Sequence, residues 1–217
     1  MAAARSDLGT DREPATLAAA EPTDQRLAKG ARSRASIARH AADVASVEGL
    51  NGVTIGKLAT DLGLSKSGIA TLFGSKESLQ LAAVQAGREV FIAQVITPSL
   101  DEPRGRTRVR AMVDRWFDHI TGAVFPGGCF RTAALTEFDS KPGPVRDALA
   151  ADHNEWLSFL AKEIRKGQEL GELPAADPDC LAFQLDAVIT AANTARQLGD
   201  EAKVAMARTI AAQLLGE

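Results

Sequence analysis

Two short helical segments separated by one glycine turn constrain the fold of this chain most strongly. Thr54 can cap the first helix at its N-terminus, and Gly63 can close it at its C-terminus. Ser65 follows two residues later and can cap a second helix. A helix, a tight glycine turn and another helix form the helix-turn-helix arrangement.

The second of these helices, KSGIATLF, carries little bulk on one side. Its apolar residues Ile69, Leu72 and Phe73 face inward, which leaves Lys66, Ser67, Gly68 and Thr71 facing out. Gly68 costs this helix about 1 kcal/mol relative to alanine. A close approach of the backbone to DNA would offset that cost, and a small residue tolerated on a solvated face is the alternative.

Helical periodicity continues on both sides of this unit, whereas strand-like runs are missing and tyrosine is absent altogether. A first helix is predicted from Arg34 to about Glu48, with Gly49 as its C-cap. Ser75 can cap a long helix that connects two modules. Two closing helices carry small residues that suit either a four-helix dimer seam or an ordinary intrachain pair: Ala187, Ala191, Ala192 and Ala195.

The sequence therefore predicts an all-α fold in three parts. Residues 1–29 lack a sustained apolar period and are interpreted as a disordered tail. Residues 30–79 form an N-terminal three-helix helix-turn-helix domain. A long helix joins it to residues 80–217, a helical C-terminal domain for ligand binding and dimerisation.

Composition narrows the location and the class of protein. No apolar run reaches the length of a bilayer span and no hydrophobic signal segment is present, so we expect a soluble cytoplasmic protein without a membrane partner. Cys129 and Cys180 are too few for a disulfide framework and too far apart for a metal knuckle. Cys129 follows two glycines and precedes a helix, which permits a redox role, although simple packing is the preferred interpretation.

Charge is distributed unevenly along the chain. The formal net charge is -3, yet the segment from Arg26 to Leu79 holds eight Lys or Arg against four Asp or Glu. That segment is therefore +4 and the remainder is -7. A local basic footprint favours nucleic acid, although a cluster of cations is often only a solvated face.

With these residues in view, the chain resembles the tetracycline-repressor (TetR) family of bacterial transcription regulators. The matching motifs are Arg34-x-x-Ile37, Ala41-Ala42, Gly49, Thr54-x-x-x-Leu58-Ala59, Gly63-Leu64-Ser65, Phe73 and Lys76-Glu77-x-Leu79. The C-terminal half resembles a subset of that family with the turn FPGGCF, followed by Glu137-Phe138 and Pro142-Gly143-Pro144. The family implies a homodimer, a DNA-binding unit of three helices, and a variable C-terminal domain that binds an effector.

The resemblance also implies roles for individual residues. It assigns Thr54 and Lys76 to DNA phosphates at helix N-termini, where backbone N–H groups favour anions. It directs Ser65, Lys66, Ser67, Gly68 and Thr71 toward the major groove, and it includes Arg34 in the DNA-binding set. Lys66 is the first candidate for reading a guanine, with a phosphate contact as the alternative. The chain departs from the family at Ala70, where an aromatic is usual, and at Leu72, where histidine is frequent.

Aromatic and aliphatic side chains in the C-terminal half are candidates for an apolar effector cavity. They are Trp116, Phe117, Ile120, Phe130, Phe138, Trp156 and Phe159. Large aromatics at helical spacing are more often plain core. His40, His119 and His153 lack metal-ligand spacing, and Asp152-His153 next to Glu155 is interpreted as a solvated face, so no metal and no cofactor are predicted.

The leading hypothesis is a DNA-binding repressor, not an enzyme. Its homodimer would bind a near-palindromic operator in double-stranded DNA and leave it when an unknown, largely apolar small molecule binds. The alternative is a helical small-molecule-binding protein or enzyme whose DNA binding is weak or vestigial, which Ala70 and the net negative charge motivate.

Overall fold

A computed structural model describes residues 22–217, with side chains described from Leu27 onward. These residues form helices and connecting turns without any strand, which confirms the all-α prediction. No helix in this range is long and apolar enough to cross a membrane. A π-helical segment, Ile92–Ile96, directly follows the helix that ends at Phe91. The helices are α1 Pro22–Gly52, α2 Ile55–Leu62, α3 Lys66–Phe73, α4 Lys76–Phe91, α5 Thr97–Ser99, α6 Arg106–Thr121, α7 Phe130–Phe138, α8 Pro144–Glu169, α9 Pro178–Gln197 and α10 Glu201–Leu214.

Helix α1 begins at Pro22, earlier than the predicted start at Arg34. The predicted tail over residues 1–29 is therefore wrong for residues 22–29, and residues 1–21 lie outside the described range. Proline suits the first turn of a helix, and no further proline interrupts the segment up to Arg34. Gly49 breaks the helical geometry with a φ of 77°, as expected at the predicted C-cap, and helical turns resume as far as Gly52.

Local caps set the bounds of the next three helices as predicted. The Thr54 side chain accepts a hydrogen bond from the Lys57 amide at 3.1 Å, and Gly63 ends α2 in the left-handed region with φ 64°. Ser65 caps α3 through the Gly68 amide at 3.1 Å, and Ser75 caps α4 in the same way. Each cap satisfies a backbone donor within three residues, so local sequence sets where these helices begin.

Two hydrophobic clusters hold the helices together. The N-terminal core joins α1–α4 to Phe125, α7 and the first turns of α8. The C-terminal core joins the end of α4 to α6, α8, α9 and α10. Helix α4 contributes to both clusters and so connects the core of the helix-turn-helix unit with that of the C-terminal helices.

The loop of residues 125–130, FPGGCF, fastens these two parts to each other. The Gly127 amide donates to Ser46 Oγ of α1 at 3.0 Å, and a Cβ on Gly127 would overlap the Ser46 carbonyl oxygen. The Cys129 amide donates to Asn193 Oδ1 of α9 at 2.9 Å. The Cys129 side chain is buried within the C-terminal core, which agrees with the packing interpretation of this cysteine.

Candidate DNA interface and ligand cavity

Helix α3 presents its polar residues together on one exposed surface. Its inner residues Ile69 and Phe73 are buried in the N-terminal core, and Leu72 is partly buried against it. The exposed residues are Ser65, Lys66, Ser67, Gly68 and Thr71. All five predicted residues are therefore exposed at α3, and together they are called the α3 surface from here on.

Most hydroxyls of the α3 surface are already bonded within the helix. Ser65 Oγ accepts from the Gly68 amide, and Thr71 Oγ1 donates to the Ser67 carbonyl at 2.9 Å. A Cβ on Gly68 would lie 2.9 Å from Ser65 Oγ, so the cap itself gives a structural reason for glycine at this position. Lys66 forms no ion pair with any described residue, which leaves its ammonium group available for an external anion.

Thr54 and Lys66 lie close to each other at the N-termini of α2 and α3. A Cβ placed on Gly56 would be 3.8 Å from Lys66 Nζ and 4.0 Å from Thr54 Oγ1. Both residues are exposed on the same side of the helix-turn-helix unit. A hydroxyl and an ammonium group beside two helix N-termini form an arrangement that suits a phosphate.

The other two predicted DNA residues already have internal partners. Lys76 is exposed, but its Nζ donates to the Asn51 carbonyl at 2.8 Å. Arg34 is half-buried, with its guanidinium 4.4 Å from the centre of the Phe73 ring and bonded to the Leu72 carbonyl. Arg34 therefore braces α3 against α1, a role that sequence reasoning did not separate from DNA contact.

Ion pairs reduce the basic footprint of this region. Lys57 pairs with Glu48 at 2.9 Å, and the hydrogen bond to that carboxylate raises the pKa of Lys57. Arg39 pairs with Asp43. Among the residues with described side chains, the cations without an ion pair in this region include Lys29, Arg32 and Lys66, on α1 and α3.

The seven predicted ligand residues do not line one cavity. Six are almost wholly buried, because large aromatic side chains fill the two cores. Phe130 and Phe138 belong to the N-terminal core, whereas Trp116, Phe117, Ile120 and Trp156 belong to the C-terminal core. Phe159 is partly buried, and only Phe159 and Trp156 of the seven reach the cavity described next.

A cavity of about 440 Å³ lies between α4 with its π-helical continuation, the start of α7, and α8. Its wall combines charged residues with apolar ones, and we call it the Arg131 cavity. Its lining residues are Arg88, Ile92, Ile96, Arg131, Asp152, Glu155, Trp156, Ser158, Phe159 and Lys162.

A charged network forms one wall of the Arg131 cavity. Asp152 accepts from Arg88 at 2.7 Å and from Arg131 at 2.8 Å, and Arg88 also bonds Glu155 at 2.9 Å. The guanidinium of Arg131 lies 4.0 Å from the centre of the Phe91 ring. Three helices are thus joined by one buried carboxylate.

Sequence reasoning missed this network because it interpreted Asp152 as part of a solvated acidic face. Asp152 is in fact buried. The signal was its position: Asp152 falls on the same helical stripe as Leu149 and Trp156, and an acid on an apolar stripe requires a partner.

Four polar atoms around Phe91 are buried without a hydrogen-bond partner. They are Arg131 Nη1, Trp156 Nε1, Trp116 Nε1 and His119 Nδ1. The rings of Trp156, His119 and Trp116 lie 5.0, 5.5 and 5.8 Å from that of Phe91, centre to centre. Each buried, unsatisfied group costs about 1–3 kcal/mol. Burial lowers the pKa of His119 to about 4, aided by the positive charges of Arg131 and Arg39, so this imidazole is neutral at neutral pH.

A second, larger groove of about 510 Å³ lies between α1 and α4. Small apolar residues form much of its lining, including Ala31, Ala35, Ala38, Leu81 and Ala82. None of its lining residues is among the described residues that hold a buried polar atom without a partner. This groove has space but lacks the unsatisfied donors that distinguish the Arg131 cavity.

A helix-turn-helix unit with an exposed α3 surface is packed onto a helical domain that bears an open cavity, which is the arrangement expected of a DNA-binding regulator with a ligand site. Residues 105–211 match the family model described as "Tetracyclin repressor-like, C-terminal domain". A TetR transcriptional regulator from Chloroflexus aurantiacus has a similar structure, with 25% identity, a TM-score of 0.76, and coverage of 88% of this chain and 97% of its own. The C-terminal half of the chain therefore matches the TetR-type C-terminal domain, and the fold of the described residues is that of TetR-family transcriptional regulators.

Other solved structures share the fold at lower identity. A TetR-family regulator from Cytophaga hutchinsonii is 21% identical, with a TM-score of 0.76, and the match covers 87% of this chain and 96% of that one. AibR, determined in complex with isovaleryl coenzyme A and operator DNA, is 22% identical with a TM-score of 0.61 and coverage of 72% and 84%. A search of curated protein sequences found no match.

Proposed function

We propose that this protein is a cytoplasmic transcriptional repressor whose homodimer binds a near-palindromic operator and is released by a small-molecule effector. The observation that carries the proposal is the α3 surface, where four polar residues and Gly68 are exposed on a helix whose apolar side is buried in the N-terminal core. A recognition helix of this kind enters the major groove with its N-terminal residues toward the bases. The AibR complex with operator DNA and a ligand supports both partners for a protein of this fold.

We assign different tasks to the DNA-facing residues. Lys66 is the candidate for base readout, since it has no ion-pair partner among the described residues and lies in the first turn of α3. Thr54 and Lys76 are placed at helix N-termini for phosphate contacts, and Lys76 would exchange its bond to the Asn51 carbonyl for one to DNA. Arg34 acts through α3, because its guanidinium is occupied by Phe73 and Leu72.

The outer face of α9 and α10 is the proposed dimer seam. It exposes Phe183, Leu198 and Met206, which are 63%, 80% and 60% accessible. Ala187 and Ala191 lie on the same exposed face of α9, whereas Ala192 and Ala195 are buried within the chain. Pairing these faces in a two-fold dimer would bury the apolar side chains and set two α3 helices about 34–36 Å apart, or at a related spacing.

Helix α7 contacts both the Arg131 cavity and the junction between α1 and α2. Arg131 near its start lines the Arg131 cavity, and Phe130 packs directly against Gly87 of α4. Glu137 near its end accepts hydrogen bonds from the Leu50 and Asn51 amides at 2.5 and 3.0 Å, where α1 leads into α2. A ligand that shifts α7 would therefore change the junction that orients α2 and α3, with a coupling of about 1–3 kcal/mol.

Selection from a random pool of DNA duplexes tests the proposal. We expect the purified protein to enrich two inverted half-sites separated by about one helical turn or a related spacing, and to sediment as a dimer. The Lys66→Ala variant should lose enrichment at the positions that Lys66 reads, while folding normally. Recovery of random sequence at low salt would reject the repressor proposal.

Ala70 motivates the alternative of a small-molecule-binding protein with vestigial DNA binding. This half-buried residue stands where the family usually has an aromatic, and a phosphate bond from an aromatic hydroxyl is worth about 1 kcal/mol. Ligand binding without sequence-dependent DNA binding, in the wild type and in Ala70→Tyr alike, would favour this alternative.

A further inference from the structure

The backbone of Leu50 and Asn51, at the end of α1, is hydrogen-bonded at all four of its polar groups. Both amides donate to the Glu137 carboxylate of α7, at 2.5 and 3.0 Å. Gln80 Nε2 of α4 donates to the Leu50 carbonyl at 2.9 Å, and Lys76 Nζ donates to the Asn51 carbonyl at 2.8 Å. Helices α4 and α7 therefore fix these two residues, which we call the Leu50–Asn51 segment.

The turn at Gly49 presents the two amides of this segment to one carboxylate. Gly49 leaves helical geometry with a φ of 77°, and the next two amides both reach Glu137. Successive backbone N–H groups at a turn form an anion-binding concavity. A Cβ on Gly49 would lie 2.6 Å from Glu137 Oε2, so glycine leaves the room that the carboxylate occupies. The turn and the side chain fit each other closely.

Packing of α7 holds Glu137 against the Leu50–Asn51 segment. Phe138 and Ala134, on the same helix, are buried in the N-terminal core. Phe130 at the start of the helix packs directly against Gly87 of α4. Because these contacts anchor both ends of α7, the carboxylate is presented to the two amides by a fixed helix.

Lys76 connects the Leu50–Asn51 segment with the proposed DNA interface. It is the first residue of α4, and its exposed side chain is bonded to the Asn51 carbonyl. A lysine side chain loses rotamer entropy when its ammonium group is fixed on a phosphate. The Asn51 carbonyl already restricts Lys76, so less entropy remains to be lost when the side chain binds DNA. A shift of the Leu50–Asn51 segment would remove this advantage.

We propose that Glu137 is a positioning residue for DNA binding, which contacts no DNA and acts through the Leu50–Asn51 segment on Lys76. This inference rests on the proposed function, because it requires Lys76 to bind a DNA phosphate. It goes beyond a contribution to stability, since loss of the carboxylate weakens one phosphate contact in particular. Glu137→Gln keeps the side-chain size and one acceptor oxygen, so it removes the paired bonds without leaving a cavity.

Fluorescence anisotropy of the full chain with the selected duplex and with a scrambled duplex, over a series of salt concentrations, tests the proposal. We expect Glu137→Gln to weaken binding about three- to ten-fold on both duplexes, because a phosphate contact is independent of sequence. The slope of log affinity against log salt should fall toward that of Lys76→Ala, by up to about 0.9. An unchanged affinity or an unchanged slope would overturn the proposal.

Double variants show whether Glu137 acts through Lys76. Added to Lys76→Ala, Glu137→Gln should cause little further loss of affinity. Added to Lys66→Ala, it should cause its full loss, because Lys66 has no bond to the Leu50–Asn51 segment and independent effects multiply. A full loss in both double variants would show that Glu137 does not act through Lys76.

Two controls separate positioning from stability. Ile164→Val lowers stability within the C-terminal core, and Asp139→Asn alters an exposed carboxylate two positions after Glu137. Neither should change DNA affinity or its salt dependence. If Glu137→Gln does not fold, Gln80→Met removes the bond to the Leu50 carbonyl from the other side, and it should weaken binding about three-fold with the same dependence on Lys76.

The two duplexes keep this inference apart from the proposed function. Preference for the selected duplex without any effect of Glu137→Gln would reject the positioning role and leave the repressor proposal standing. Equal affinity of the wild type for both duplexes would reject the repressor proposal, while the salt slope would still test the link between Glu137 and Lys76.

Discussion

The α3 surface and the Arg131 cavity differ in whether their polar groups have hydrogen-bond partners. On the α3 surface the hydroxyls bond to backbone groups within four residues, and water solvates what remains. In the cavity, Arg131 and Trp156 each hold a buried donor with no partner. The hydroxyls of the α3 surface therefore need no external partner, whereas Arg131 and Trp156 each carry the cost of a buried donor without one.

This difference affects how each region contributes to the free energy of folding. The α3 surface does not destabilise the folded protein when DNA is absent, because its hydroxyls already have partners. A ligand that binds in the cavity of the folded state, and not to the unfolded chain, would raise the free energy of unfolding. The loop of residues 125–130 and helix α7 connect the two regions, so substitutions there test whether they act together.

Gly127→Ala should give the largest effect, because the added methyl would overlap the Ser46 carbonyl and force the loop of residues 125–130 away from α1. We expect the free energy of unfolding to fall by about 3 kcal/mol, measured by urea denaturation. Gly30→Ala is the control, since nothing lies within 4 Å of its added methyl, and it should be neutral or slightly stabilising. Equal midpoints for the two variants would show that this loop does not hold α1 in place.

His119 should make the free energy of unfolding depend on pH in the acidic range. Its pKa is lowered to about 4 in the folded state, from 6.5 in the unfolded chain. The unfolded state therefore binds the proton more readily, so the stability is complete above pH 6.5 and is lost progressively as the pH falls toward 4. The loss amounts to about 3 kcal/mol. Urea denaturation at a series of pH values should show this component in the wild type and not in His119→Leu; an unchanged pH dependence in the variant would contradict the burial of a neutral imidazole.

Glu137→Gln tests the contact between α7 and the start of the helix-turn-helix unit. The carboxylate accepts two backbone N–H groups, at Leu50 and Asn51, whereas an amide presents only one acceptor. We expect a loss of about 2 kcal/mol in the free energy of unfolding and faster hydrogen exchange at those two amides. Asp139→Asn, at an exposed residue two positions later, should change neither quantity.

Substitutions on the DNA side should have the smallest effects. Ala70→Tyr should tighten operator binding by about 1 kcal/mol with little change in salt dependence, because a neutral hydroxyl releases no counterion. Lys76→Ala should lower the slope of log affinity against log salt by up to about 0.9 if Lys76 neutralises one phosphate. Fluorescence anisotropy at several salt concentrations measures both, and an unchanged slope would remove Lys76 from the phosphate contacts.

The sequence predicted the helix-turn-helix unit well because its determinants are local. Thr54, Ser65 and Ser75 each cap a helix through an amide three residues later, so short-range spacing is sufficient. The cavity depends on contacts between distant segments, such as Arg88 with Asp152, which no local pattern pairs. Of the predicted cavity residues, packing places Phe130 and Phe138 in the N-terminal core, whereas Trp156 and Phe159 line the Arg131 cavity.

Base reading by the α3 surface is the central claim. It is tested by the affinity of the wild type and Lys66→Ala for the selected duplex and for a scrambled duplex of equal length, at two salt concentrations. We expect the wild type to prefer the selected duplex, and Lys66→Ala to lose about 1–3 kcal/mol on it with little loss on the scrambled one. Equal losses on both duplexes, or no loss on either, would contradict base reading by α3.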